Sequence, residues 1–293
     1  MKQTPPSNLL ANKVFVITGA NSGIGYETAL GIAKTGAQVL IVGRSKEKCQ
    51  EAQNKIIAET QNQQVNVLLA DFSVQQSIRQ FAEDFKRKYD RLDVLVNNAG
   101  AMFTTRKTTP DGHEQTFGLN HLGYFLTTHY LLDVIKNTPH ARIVNVASEA
   151  HRIGQLNFDD LMYQKNSYSQ WRAYGTSKLA NILFTQHLAQ LLNGQNVTTN
   201  SLHPGVVRTN FGNEHPIVRF AYQNLPFVGI TPKQGAKTSL FLSLEPLPAA
   251  HNGLYFDNCK PKKPSKAAQS PENAQQLWQN SLELTGIETF GRV

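Results

Sequence analysis

Tyr174 and Lys178 stand four residues apart in the stretch WRAYGTSKLAN, residues 171–181. On a helix, positions i and i+4 share a face, so a phenol and an ammonium would project together. A free phenol titrates near 10, too high for an efficient acid–base catalyst at neutral pH, and a neighbouring ammonium stabilises the phenolate and lowers that value. Such a pair is suited to passing a proton to or from an oxygen. The same spacing also arises wherever a tyrosine packs beside a lysine whose tail runs along the surface, so the pair needs company before it means chemistry. Candidate company is present: Asn120 in GLNHLGYF, Ser148 closing VNVASEA, and HPGVVRT at 203–209.

A second group of residues is suited to holding phosphate. The run TGANSGIG lies between an apolar stretch and a helical one, and its glycines, Gly19, Gly23 and Gly25, follow the pattern GxxxGxG. At a strand-to-helix turn, glycines let the backbone approach a pyrophosphate, while the helix N-terminus offers N–H groups and the positive end of its dipole. Asn21, Ser22 and Ile24 belong to the same turn. A tight turn without a ligand looks alike, so the end of the next strand is informative. There a site for NAD carries Asp or Glu toward the ribose 2′-hydroxyl, whereas an Arg accommodates a 2′-phosphate. This chain has Arg44 and no acid there, with Lys46 and Lys48 close by. A guanidinium grips phosphate bidentately, so the expected cofactor is NADP(H), the alternative being an ordinary exposed Arg in a loop. Asp71 and Phe72 close LLADFS; Asp71 reads equally as an adenine contact or as an N-cap. Asn98, Ala99 and Gly100 of NNAG end a fourth run. Small residues there admit a flat ligand beside the backbone, and the Asn side chains can instead tie strands together.

Positioning these residues requires alternating strands and helices. Short runs rich in Val and Ile occur at 14–18, 38–42, 65–70, 92–98 and 142–148, with further candidates at 197–204 and 253–258. Without polar alternation, they read as strands buried on both faces. Between them, helical periodicity marks 23–35, 46–61, 74–89, 114–136, 172–193 and 232–244. This alternation predicts an α/β fold, a single Rossmann-like, doubly wound parallel sheet of about seven strands with helices on both faces. No compositional break divides the chain before residue 258, so one domain is expected: a core over 12–257 and a basic, polar extension over 258–293. Two polar or irregular stretches, 149–171 and 210–232, interrupt the rhythm. Both follow strands at the carboxyl edge, where open α/β sheets bind ligands.

Composition narrows the classes. The chain has 293 residues, 40% of them hydrophobic and 17% charged, as in a soluble globular protein. No run approaches the length of a transmembrane helix, and MKQTPPSNLLANK lacks a signal-peptide pattern, so the expectation is a cytoplasmic protein without a membrane-spanning segment. Two cysteines far apart suggest neither a disulfide framework nor a metal site. The net charge of +8 suits an anionic ligand, a membrane surface or nucleic acid. Its densest run, CKPKKPSK at 259–266, has no interleaved aromatics and two prolines, which favours a solvated loop over a nucleic-acid patch.

Taken in order, TGANSGIG, NNAG, Asn120, Ser148, the YxxxK of Tyr174 and Lys178, and HPG resemble the motif set of the short-chain dehydrogenase/reductase family over about residues 12–257. SEAH, YGTSKLANILFTQHLAQ and VTTNSLHPGVVRTN are most similar to the retinol dehydrogenases and their relatives, a branch that includes WW-domain oxidoreductases and, more distantly, protochlorophyllide reductases. Neither the N-terminal anchor of many of these nor a WW domain is expected of this chain. The resemblance implies a hydride transfer between nicotinamide and a carbonyl carbon. Tyr174 would exchange the proton with the substrate oxygen, Ser148 would position that oxygen, Lys178 would bind the nicotinamide ribose and lower the Tyr174 pKa, and Asn120 would hold a relay water. Pro204, Gly205, Val207 and Thr209 would cover the carboxamide. Dimers or tetramers through the helices around 114–136 and 172–193 are also implied.

The substrate expected is an apolar aldehyde, ketone or alcohol, with retinal the specific case, because 210–232 holds Phe211, Ile217, Val218, Phe220, Tyr222, Leu225, Phe227 and Val228, suited to a hydrophobic lid. Peripheral contact with a membrane stays open. The alternatives are a non-catalytic NADP(H)-binding sensor or scaffold, and a protochlorophyllide reductase-like enzyme. A sensor predicts a damaged Tyr, Lys or Ser, and all three are intact. His121, His151 and His203 read as packing residues.

Overall fold

The first strand, β1 (Val14–Thr18), is β-branched or aromatic at every position and buried along its whole length, the pattern of a strand covered on both faces. The computed structural model describes residues 10–207, 229–248 and 250–292. After β1 the chain alternates: α1 (Gly23–Ala33), β2 (Gln38–Gly43), α2 (Lys46–Thr60), β3 (Val65–Leu69), α3 (Gln75–Lys86) and β4 (Val94–Asn97). There follow α4 (Gln115–Phe117), α5 (Gly123–Asn137), β5 (Ala141–Val146), α6 (Gln170–Leu191), β6 (Val197–His203), β7 (Tyr255–Asp257) and β8 (Lys260–Pro261).

These strands form one eight-stranded sheet in the order β3-β2-β1-β4-β5-β6-β7-β8. Every pairing is parallel except that of β7 with the two-residue β8. Strand order reverses between β1 and β4, so a crevice opens at the carboxyl ends of the central strands. Alternate side chains of β1 serve opposite faces. Val14 and Val16 join Ile78, Phe81, Phe125 and Phe184 on one side, and Phe15 and Ile17 join Ala29, Ile32, Ile56 and Leu242 on the other. The expected Rossmann-like α/β architecture is thus present, with one short antiparallel strand beyond the seven expected.

Three departures have local causes. The helix expected over 114–136 is interrupted by a π-helical turn, Gly118–Leu122, between α4 and α5; such turns re-aim side chains and often sit at functional sites. The helix expected over 232–244 is broken at Ala236 into Pro232–Gly235 and Lys237–Leu244. Finally, the polar extension folds into a helix, Pro271–Thr285, capped by Ser270 and ended by Gly286 at φ 67°. Ser at the N-cap, Pro at the first helical position and Gly past the end were legible signals. Its Leu277, Trp278 and Ser281 are buried, and Trp278 stacks on Phe184 of α6 at 5.9 Å between ring centres. No described helix is long and apolar enough to cross a membrane.

Candidate active site

The turn after β1 explains its glycines. Gly19 sits at φ +66°, and a Cβ there would lie 2.8 Å from the Cα of Ala99. At Gly25 a Cβ would meet the Gly19 carbonyl oxygen at 2.5 Å, so α1 packs onto the turn only without a side chain. Ser22 precedes α1 in extended backbone and makes no side-chain cap. Gly23, Ile24 and Gly25 of the first turn line a cavity of about 500 Å3, presenting the positive end of the helix to it. Asn21, Ser22, Asn98, Ala99 and Gly100 line it too. The side-chain amide of Asn98 donates to the Thr18 carbonyl at 2.8 Å, while the Thr18 hydroxyl oxygen accepts from the Asn98 and Ala99 amides at 2.8 and 3.0 Å. Asn97 lies deeper and donates to Asn145 Oδ1 at 2.9 Å and to the Thr128 hydroxyl at 3.1 Å. The two asparagines of NNAG therefore tie strands together, and Asn98 also forms cavity wall.

Arg44 leaves the end of β2 exposed and lines the same cavity. Among the described residues it has no ion-pair partner. Its neighbours Lys46 and Lys48 are exposed on α2 and do not line the cavity. Asp71 and Phe72 do. One carboxylate oxygen of Asp71 accepts from the Ser73 amide and hydroxyl at 2.9 and 2.6 Å, closing a turn ahead of α3.

At the other end of the cavity stand Ser148, Tyr174 and Lys178. Lys178 is 3% exposed. Its ammonium donates to the Val146 carbonyl at 2.9 Å and lies 5.6 Å from the centre of the Tyr174 ring and 5.5 Å from that of Tyr124. Burial disfavours the charged form and draws its pKa down to about 7. A Cβ on Gly100 would approach this nitrogen at 3.6 Å and Asn120 Oδ1 at 3.0 Å, so the glycine leaves room for both. The Ser148 hydroxyl oxygen accepts from the Ala150 amide at 3.2 Å, which leaves its own proton to be donated elsewhere.

Asn120 stands behind the cavity wall, beside Gly100. It is buried and forms no part of the cavity lining. Its amide nitrogen donates to the Ala101 carbonyl at 2.9 Å and the Ser177 hydroxyl at 3.0 Å, and its side-chain oxygen accepts from the Ala101 amide at 2.9 Å. Both amide protons are spent bracing the segment after β4 against α6. Its main-chain carbonyl accepts from Asn181 at 3.0 Å.

Pro204, Gly205 and Val207 line the cavity after β6. Thr209 and residues Phe211 through Val228 of the expected lid lie outside the described residues. The flanks of that segment meet: Val207 pairs with Ile230 in an isolated parallel bridge, and the Ile230 amide donates to the Val206 carbonyl at 2.7 Å.

Sequence reasoning missed other lining residues. Ala101, Met102 and Phe103 follow NNAG directly, and Val146 and Ala147 precede Ser148, so motif proximity was a usable signal. Gln115 and Leu119, carried in by α4 and the π-turn, offered none. His121, read as packing, is fully buried 4.9 Å from the Phe117 ring, and burial lowers its pKa to about 3.

One cavity thus runs from a glycine turn and a free guanidinium to a hydroxyl, a phenol and a buried amine. These features fit an elongated dinucleotide with its phosphates at α1 and its reactive ring beside Tyr174. Among the described residues no cluster of His, Cys, Asp or Glu suits a metal ion.

Comparison with known proteins agrees with this arrangement. A family model described as short chain dehydrogenase matches residues 13–216. Retinol dehydrogenase 12 of Homo sapiens is 45% identical over 283 residues, covering 95% of this chain and 88% of that protein. An uncharacterized protein from Mycobacterium paratuberculosis superimposes with a TM-score of 0.80 at 32% identity, over 99% of this chain and 97% of that one. A short chain dehydrogenase from Escherichia coli CFT073, complexed with NADPH, gives a TM-score of 0.66 at 25% identity, over 86% and 99% of the two chains.

Proposed function

The chain belongs to the short-chain dehydrogenase family and is an oxidoreductase of it, and from that premise we propose that it transfers hydride between NADP(H) and an apolar aldehyde, ketone or alcohol, with retinal and retinol the specific pair. The observation that carries this reading is the single cavity shared by the glycine turn, Arg44, Ser148, Tyr174 and Lys178. Selection of the 2′-phosphate rests on Arg44, which has no described ion-pair partner, and on the lack of an acid at the end of β2. The NADPH complex of a structural neighbour supports the same choice.

When bound, the nicotinamide supplies or accepts the hydride. The protein's own residues then handle position and protons. The first-turn amides of α1 and the Arg44 guanidinium hold phosphate. The Ser148 hydroxyl, its oxygen already held by the Ala150 amide, donates to the substrate oxygen and orients it. Tyr174 passes its proton to that oxygen in reduction and takes it back in oxidation. Lys178, fixed by Val146 and 5.6 Å from the Tyr174 ring centre, favours the phenolate whenever it carries its proton. Asn120 braces this assembly, and any relay water it holds would use acceptor capacity left on its oxygens. Donors placed where negative charge develops, in a site that needs no reorganisation, lower the barrier.

The substrate class rests on the name of the relative, retinol dehydrogenase 12, and on the apolar residues of 210–232, whose flanks pair beside the cavity. The test is incubation of the purified protein with NADPH and a panel of apolar aldehydes that includes all-trans-retinal. Consumption of NADPH with formation of the alcohol is expected. Cofactor binding without turnover of any aldehyde would overturn the substrate assignment and favour the sensor alternative.

A further inference from the structure

The turn that carries Ser148 is held from behind by a histidine with no part in the scheme above. His151 is fully buried. Its Nδ1 lies 2.7 Å from the Ser148 carbonyl oxygen, and its Nε2 lies 3.0 Å from the backbone nitrogen of Ser265. The two partners determine its protonation without ambiguity. A carbonyl oxygen only accepts and a backbone N–H only donates, so Nδ1 carries the proton and Nε2 receives one. The neutral ring, edge-on to Tyr255 at 5.1 Å, spans from the strand end of Ser148 to the basic segment after β8.

Other groups pin the same short helical turn, Glu149–Ile153. The Glu149 amide donates to His203 Nδ1 at 3.2 Å. The Glu149 carboxylate accepts from the Tyr255 hydroxyl and the Lys262 ammonium, each at 3.1 Å, and pairs with Arg152. These contacts hold residue 149 and its side chain. The Ser148 carbonyl accepts from the His151 backbone amide at 3.1 Å as well as facing the imidazole Nδ1 at 2.7 Å, and among the described hydrogen bonds the imidazole is what links that carbonyl to the segment of Ser265.

We propose that His151 is a positioning residue for Ser148, and that through Ser265 it makes the basic segment at 260–266 the rear support of the active site. Rotation of the peptide after Ser148 would carry away the Ala150 amide that holds the hydroxyl oxygen, so the carbonyl contact orients the hydroxyl. Misplacement of a reacting group by about 1 Å can cost about a hundredfold in rate. The proposal rests on the proposed role of Ser148, and its test separates the two.

His151→Phe keeps an aromatic ring and removes both bonds. With NADPH and all-trans-retinal as the assay, kcat should fall about tenfold while the KM for NADPH stays within about twofold. In a Ser148→Ala background the same change should add less than about twofold, because a residue acting through Ser148 has nothing left to position. His151→Asn, whose amide can still reach the Ser148 carbonyl, should restore most of kcat. Amide exchange gives a readout independent of turnover. In His151→Phe, exchange should rise in both 148–154 and 262–266, and in His151→Asn in 262–266 alone. Ser265→Pro, which leaves the imidazole in place and removes its amide donor together with the hydroxyl that accepts from the Ala268 amide at 3.4 Å, serves if His151→Phe does not fold, and should raise exchange across 262–266. An undiminished loss in the Ser148→Ala background, or unchanged exchange at 262–266, overturns the proposal. If Ser148→Ala alone left turnover intact, the functional reading would fall, while exchange would still decide the contact.

Discussion

The ammonium of Lys178 lies 5.6 Å from the ring centre of Tyr174 and donates at 2.9 Å to the Val146 carbonyl at the end of β5. The helix supplies the common face, but the strand end holds the amine. A surface pair at the same spacing would keep its lysine tail in water; here the amine is buried and its pKa drawn down to about 7.

Removing only the phenolic proton tests the acid–base assignment. Tyr174→Phe keeps the ring and should lower kcat by a hundredfold or more, within the roughly 10²–10⁴ typical of a positioned proton donor. NADPH affinity, followed by fluorescence titration, should change by less than about twofold. Turnover near that of the unaltered protein would reject the mechanism.

Lys178→Met should abolish activity while stabilising the cofactor-free protein. The folded pKa of about 7 lies below the unfolded value near 10.4. As pH falls through that window the unfolded chain holds a proton the folded chain releases, so stability drops, and the full cost applies below about 7. Each unit is worth about 1.4 kcal/mol, partly offset by the lost hydrogen bond to Val146, worth about 1 kcal/mol. Chemical denaturation should show the variant more stable by a few kcal/mol near pH 7 and nearly equal near pH 10. A destabilised variant at neutral pH would contradict this.

Arg44→Ala should discriminate between cofactors. A charged hydrogen bond to phosphate contributes about 1.5–3 kcal/mol, so NADPH should bind roughly ten- to a hundredfold more weakly, with NADH little affected. Equal losses for both would place the guanidinium away from the 2′-phosphate.

The C-terminal helix bears on assembly. Trp278 packs against Phe184 of α6 and Phe125 of α5, and Phe290 against Phe125 and His129. This packing therefore covers part of the two helices through which the resemblance implied dimers or tetramers. Light scattering should show a monomer, and a dimer would mean that the uncovered faces of α5 and α6 suffice. Trp278→Ala should cost about 3–5 kcal/mol in denaturant unfolding.

Much of this architecture was legible from local pattern. VFVIT at 14–18 coincides with β1, and the strand expected at 197–204 is one residue longer than β6, because buried strands impose a periodicity that nearby residues satisfy by themselves. The π-turn at 118–122 was not legible. It follows from where β4 and α6 place Ala101 and Ser177, the partners of Asn120, and those contacts join residues far apart in sequence.

The sequence by itself determined the chemistry available: a glycine turn before a helix, an arginine in place of an acid, and a Ser, Tyr and Lys in a particular order. Each depends on residue type and short spacing, which the chain carries locally. Tertiary structure alone decided which of those residues share a wall, that Asn120 stands behind it, and that His151 reaches from Ser148 to Ser265. Burial, tautomer and the depressed lysine pKa belong to the same class. They depend on the exclusion of water and on hydrogen bonds between distant segments, and neither exists until the sheet and its helices have closed around them.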